Sequence, residues 1–197
     1  MTNLSEQNKD VTGKFFINNL LLGVTGSVGV VVVPHYIKLL RESVAKSVHV
    51  MMSHSAQKFV TPYTFRLYSG NDVFTDSFYI SDDVRVPHIE LTQKCDVFVI
   101  MPATANIIGK VANGICDDLI STAVMASTKP VVFVPSMNPS MWFSKANQKN
   151  VSVLKELGHY VLPPSEGYEI VDMKPSFGSM PEFDVIVDFL KTVVSKS

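Results

Sequence analysis

The chain is poor in several features that define common protein classes. It has two cysteines, Cys95 and Cys116, without zinc-ligand spacing, so the sequence specifies neither a disulfide scaffold nor a structural metal site. Such sparse cysteine fits a reduced, cytoplasmic setting. Neither sign of charge is in surplus: 17 Lys and Arg against 18 Asp and Glu leave a formal net charge of −1, which gives no electrostatic reason to expect nucleic acid. No apolar run is long enough to span a bilayer, because residues 20–33 are interrupted by Gly23, Gly26, Ser27 and Gly29. Residues 1–13 are polar, lack the apolar core of a secretory signal, and read as a disordered tail. No internal repeat is visible. The dinucleotide fingerprint is incomplete, since Gly23, Gly26 and Gly29 are not followed by an acidic residue about twenty positions on.

What remains is a 197-residue chain, 46% hydrophobic and 18% charged, long enough for one domain with a large core. That apolar share is slightly high for a fully exposed monomer and hints at self-association. Strand-like runs at 20–24, 47–52, 96–101, 130–134 and 159–162 alternate with helix-like stretches at 28–41, 56–60, 104–111, 117–127, 140–157 and 182–194. Shorter helices are expected at 63–68 and at 87–94, where Pro87 opens the turn. The alternation predicts a single-domain α/β fold: a doubly wound, Rossmann- or flavodoxin-like parallel sheet in three layers over residues 14–194. Residues 163–181, rich in Pro, Gly and Ser, show little periodicity and read as a functional loop.

The centre of the chain carries the chemistry. Pro102-Ala103-Thr104-Ala105-Asn106 and Pro135-Ser136-Met137-Asn138 each follow a buried strand, placing small and amide residues where ligands bind in an open α/β sheet. The turn Thr25-Gly26-Ser27 ends the first strand, where glycine permits a tight turn and close backbone approach. Ser53 and Ser55 precede a helical stretch, so they can cap it or hold a phosphate against its N–H groups. Asp117 and Asp118 stand at a helix start, where negative charge is favoured. Phe74, Phe78 and Tyr79 form an aromatic group suited to core or interface.

These motifs carry a resemblance. Pro102–Asn106 resembles the PASANT motif of the homo-oligomeric flavin-containing cysteine decarboxylases, with Thr104 in place of serine. Pro135-Ser136-Met137-Asn138-Pro139-Ser140-Met141-Trp142 is similar to that family's PxMNxxMW motif at every specified position. Pro87-His88-Ile89-Glu90-Leu91 and Asn113-Gly114-Ile115-Cys116-Asp117 resemble two further family segments, and the likeness runs from about residue 20 to 181. The resemblance implies FMN as cofactor, with no metal. It implies trimers, perhaps grouped as a dodecamer, with FMN at a subunit interface that borrows residues from a neighbour.

The family's branches decarboxylate either phosphopantothenoylcysteine, on the way to coenzyme A, or the C-terminal cysteine of lantibiotic precursor peptides; relatives include phosphatase regulators and a flavin prenyltransferase. In both decarboxylases the cysteine is oxidised at FMN, and the resulting thioaldehyde loses CO2 to leave an enethiol. The coenzyme A branch then reduces the enethiol, using a cysteine in a C-terminal substrate clamp. Here no cysteine follows Cys116, and the clamp segment within 164–181 ends Phe177-Gly178-Ser179-Met180-Pro181, which resembles the peptide branch. The expectation is therefore a peptidyl-cysteine decarboxylase. Its partners would be a precursor peptide ending in cysteine and other peptide-modifying enzymes, and its product an aminoenethiol for aminovinyl-cysteine formation. The coenzyme A decarboxylase and a non-enzymatic phosphatase regulator are the alternatives.

By the same resemblance His88 is the catalytic base, histidine being the residue type most often used for proton transfer in catalysis. Asn138 holds the substrate carboxylate without a counter-charge. Gly26, Ser27, Ser53, Ser55, Thr104, Ala105, Asn106 and Met137 are expected to bind the flavin. Met141 and Trp142 line the substrate side, and Phe177, Gly178, Ser179 and Met180 close over it as a lid, disordered until substrate binds.

Overall fold

The computed structural model describes residues 15–79, 81, 84–169 and 173–196. The tail expected at 1–13 lies outside them. Six parallel strands form the central sheet: β1 (Ile17–Val24), β2 (Ala45–Met52), β3 (Val73–Phe74), β4 (Val97–Ala103), β5 (Val131–Pro135) and β6 (Tyr160–Val161). Their spatial order is β3-β2-β1-β4-β5-β6, so the winding reverses between β1 and β4. The helices are α1 (Val33–Ser43), α2 (Pro62–Ser69), α3 (Pro87–Lys94), α4 (Ala105–Ala112), α5 (Leu119–Ala126), α6 (Pro139–Trp142), α7 (Lys145–Glu156) and α8 (Phe183–Val194). The doubly wound fold expected from the sequence is the fold observed.

Period-two side-chain alternation sends each central strand into both layers. Leu20 and Leu22 of β1 pack with Ile37 of α1 and Ile186 of α8 on one face. Leu21 packs with Phe98, Ile107, Ile120 and Leu154 on the other. Burial on both faces explains why the strands read as continuous apolar runs.

Several elements differ from expectation. The stretch 28–41 divides into a 3-10 turn at Val28–Val32 and then α1, because Pro34 lacks an N–H and suits only a first helical turn. The stretch after Ser55 forms a single 3-10 turn, Ala56–Lys58. It cannot run on, since Thr61 precedes Pro62 and is held extended at φ −75°, ψ 151°. The helix expected over 140–157 is two helices, broken where Ser144 turns extended to cap α7, its Oγ accepting from the Asn147 N–H at 3.2 Å. The short strand β3 was not expected. Of the aromatic group, Phe74 is buried and meets Tyr79 edge-on at 5.5 Å, while Phe78 is 89% exposed.

The largest difference is at 163–181. Instead of an irregular loop, the described residues form an antiparallel hairpin, β7 (Ser165–Glu169) with β8 (Lys174–Ser179).

Candidate functional site

The reversal of winding leaves a crevice at the C-terminal ends of β1 and β4, the position where such sheets bind ligands. A buried hydroxyl ties the two ends together. Thr25 Oγ1 donates to the Pro102 carbonyl at 2.7 Å and accepts from the Thr104 N–H at 3.0 Å. Above this tie opens a cavity of about 380 Å³ whose wall includes Gly26, Ser53, Ser55, Thr104, Ala105 and Asn106. Six residues expected to hold a cofactor thus share one cavity.

Gly26 is required there: a Cβ would collide with the Ser55 side chain and come within 3.2 Å of the Ala56 nitrogen. Ser53 Oγ accepts from the Ala56 N–H at 3.2 Å, whereas Ser55 makes no capping bond and stays exposed beside the cavity. Thr104 caps α4 by accepting from the Ile107 N–H at 3.3 Å. The N–H groups of Ala105 and Asn106 belong to the first turn, which has no intrahelical partners, and they face an oxygen-rich ligand well.

A charged floor supports the cavity. Lys110 Nζ lies 2.6 Å from both Asp117 and Asp118, and Asp118 also caps α5 in a capping box with Ser121. For Asp118, burial pushes the carboxyl upward, but hydrogen bonds from Lys110 and the Ser121 N–H outweigh it and hold the group below the ordinary range. Burial likewise works against the Lys110 charge, and the two carboxylates overcome it, so its pKa is raised.

A second cavity, of about 350 Å³, lies between the β5–α6 turn and the hairpin, and its wall includes Ser27, Met137, Asn138, Glu169 and Phe177. Asn138 begins α6: its Oδ1 accepts from the Ser140 N–H at 2.8 Å, which turns Nδ2 outward to donate to Glu169 Oε1 at 2.6 Å. β8 is pinned to the same turn. The Met137 N–H donates to the Gly178 carbonyl at 3.0 Å. Gly178 has φ +129°, and a Cβ there would collide with the Met137 carbonyl oxygen. Phe177 stacks on Phe143 with centroids 5.4 Å apart.

Other expected site residues are dispersed. Ser27 and Met137 line the second cavity rather than the first, and Ser27 Oγ donates to Ser136 Oγ at 2.9 Å. Ser179 lines the second cavity, Met141 the first, and Met180 packs against the core. Trp142 is 7% exposed and buried among the core side chains of α4, α5 and α7, because it faces inward from the last turn of α6. His88 lines neither cavity. It sits in the first turn of α3, which packs on α5, and its Nδ1 is buried without a hydrogen-bond partner among the described residues. Exposed Val86 and Ile89 flank it.

Sequence reading missed Thr25, Ser136, Lys110, Tyr168 and Glu169. Thr25 and Ser136 follow strand ends directly, a position that marks them. Tyr168 and Glu169 lay in a segment with no clean alternation.

The residues and geometry agree with comparison to known proteins. The Flavoprotein family profile matches residues 10–195. The chain belongs to the Flavoprotein family. The coenzyme A biosynthesis bifunctional protein CoaBC of Bacillus subtilis (strain 168) is 40% identical over 150 residues, covering 76% of this chain and 37% of that protein. A solved structure of a PPC decarboxylase mutant complexed with pantothenoylaminoethenethiol superposes with TM-score 0.79 at 27% identity, covering 91% of this chain and 99% of its own. MrsD from Bacillus sp. HIL-Y85/54728 superposes with TM-score 0.77 at 26% identity, covering 92% of this chain and 97% of its own. The chain spans about two fifths of the length of the curated relatives it matches.

The resemblance to flavin-containing cysteine decarboxylases therefore stands. The peptide branch does not: the curated relatives are coenzyme A biosynthesis proteins. That expectation rested on a five-residue clamp likeness and a missing cysteine, which together carry less information than identity across the domain. No helix among the described residues is long and apolar enough to cross a membrane, and no group of three His, Cys, Asp or Glu among them could hold a metal ion.

Proposed function

We propose that this chain is a flavin-dependent decarboxylase of coenzyme A biosynthesis, acting on 4′-phosphopantothenoylcysteine. The observation that carries the reading is the 40% identity to the bifunctional coenzyme A protein, on a chain whose first cavity suits a flavin nucleotide. Gly26 keeps that cavity open, the hydroxyls of Ser55 and Thr104 give it polar walls, and the α4 N-terminus offers free N–H donors. FMN held there supplies the electron-accepting chemistry that lets a cysteine carboxylate depart as CO2.

The protein's own groups do the rest. Asn138 Nδ2 points into the second cavity, where it orients the substrate carboxylate by hydrogen bonding. A neutral amide adds no counter-charge that would hold back a group leaving as CO2. Met137 and Phe177 exclude water beside it. His88 takes a proton from the substrate, delivered from a neighbouring copy across a shared interface. A buried imidazole nitrogen with no hydrogen-bond partner among the described residues, rimmed by exposed Val86 and Ile89, is consistent with such sharing. The resemblance implies trimers for the same reason. The hairpin has no thiol, so the closing proton comes from another group; Tyr168, Ser176 and Ser179 carry exchangeable protons on the cavity wall.

The test is direct. Flavin-loaded protein incubated with 4′-phosphopantothenoylcysteine is expected to release CO2, followed by mass spectrometry. His88→Asn should keep the yellow colour and lose turnover. An intact substrate after long incubation with flavin-loaded wild type would refute the assignment.

A further inference from the structure

Resting on the substrate class just given, the second cavity contains a feature that reading does not use. Among the described residues that line it, Glu169 is the one carboxylate, and it already takes one of the two N–H donors of Asn138 Nδ2 at 2.6 Å. The Asn138 Oδ1 accepts from the Ser140 N–H at 2.8 Å. Its orientation is thereby fixed, with Nδ2 toward Glu169 and the cavity. An incoming carboxylate that binds Nδ2 meets Glu169 at the same atom. Two carboxylates on the two hydrogens of one amide nitrogen lie close together and repel, which favours withdrawal of Glu169.

We propose that Glu169 is a built-in surrogate for the substrate carboxylate and sets the specificity of the second cavity by competing for Asn138. β7 is paired with β8 along its length, Glu169 opposite Lys174, and β8 is fixed to the β5–α6 turn through Gly178 and Met137. Exchange of Glu169 for a substrate carboxylate therefore frees the Glu169 side chain and leaves the hairpin seated. Ligands without a carboxylate, the decarboxylated product among them, do not displace Glu169. The contact thus restores itself as CO2 departs and favours release of product.

The experiment uses the flavin-loaded wild type, Glu169→Gln and Glu169→Ala. The probes are phosphopantothenoylserine, which keeps the carboxylate but lacks the oxidisable thiol, and the same compound without its carboxylate. Calorimetry should show the acid binding about fivefold or more tightly to Glu169→Gln, the margin between a charge-assisted and a neutral hydrogen bond, with the decarboxylated probe unchanged. Glu169→Ala should tighten the acid in the same direction as Glu169→Gln. Equal shifts for both probes, or unchanged or weaker acid binding in Glu169→Gln, would each overturn the proposal. Should neither wild type nor Glu169→Gln bind either probe, the substrate class falls and the proposal falls with it.

Discussion

The two cavities are built in opposite ways. The first is framed by the middle of the sheet: β1 and β4 are joined through Thr25, Gly26 lies against the turn at Ser55, and a Lys110–Asp118 ion pair braces the floor. The second is closed by an appendage, a two-stranded hairpin that meets the β5–α6 turn at Gly178 and at Glu169. On the proposed reading the first cavity is the cofactor side and the second the substrate side, and the hairpin can vary without disturbing the sheet.

Glycine substitutions break this contrast most sharply. Gly26→Ala should abolish flavin retention and destabilise the protein by about 2–3 kcal/mol, since the neighbouring backbone at Ala56 cannot retreat; absorbance of purified protein and thermal unfolding check this. Gly178→Ala should have a comparable local effect, about 2 kcal/mol from a strained φ and a blocked carbonyl, yet keep flavin while catalytic efficiency collapses. If Gly178→Ala also loses flavin, the two cavities are not independent.

Asn138→Ala comes next. It should lower kcat/KM about a hundredfold, in line with loss of one well-placed donor, with flavin content unchanged. Asp118→Asn tests the brace. The folded carboxyl titrates below its unfolded value, so its contribution is present above about pH 4 and is lost as pH falls through the lower folded value. The variant should lose about 1–2 kcal/mol at neutral pH, through the weakened cap and ion pair, and show a flatter acid limb in unfolding midpoints. The smallest effect concerns thiols. Burial pushes the Cys95 pKa up to about 11, so an alkylating reagent at mildly alkaline pH should label exposed Cys116 and spare Cys95 until the chain unfolds.

The same contrast governs what the sequence made legible. The first cavity could be read because 20–24 and 96–101 are apolar runs stopped by small residues, and the strand ends of an α/β sheet are ligand sites on general grounds. Thr25 was placed in the turn after the first strand, but its tie to Pro102 and Thr104 could not be read without knowing that β1 lies beside β4. The hairpin was illegible for a different reason. Ser165–Glu169 and Lys174–Ser179 include Gly and Pro, and their burial is too shallow to impose alternation. The peptide assignment went astray in that same segment, where five residues were asked to decide a substrate. His88 was singled out by its motif, and the structure places it on the wall of neither cavity.

A competition assay addresses the substrate most directly. Flavin-loaded protein is given 4′-phosphopantothenoylcysteine and a peptide ending in cysteine in the same tube, and both are followed by mass spectrometry. The account predicts that the phosphopantothenoyl compound loses CO2 while the peptide survives intact. Consumption of the peptide with the phosphopantothenoyl compound untouched would contradict it.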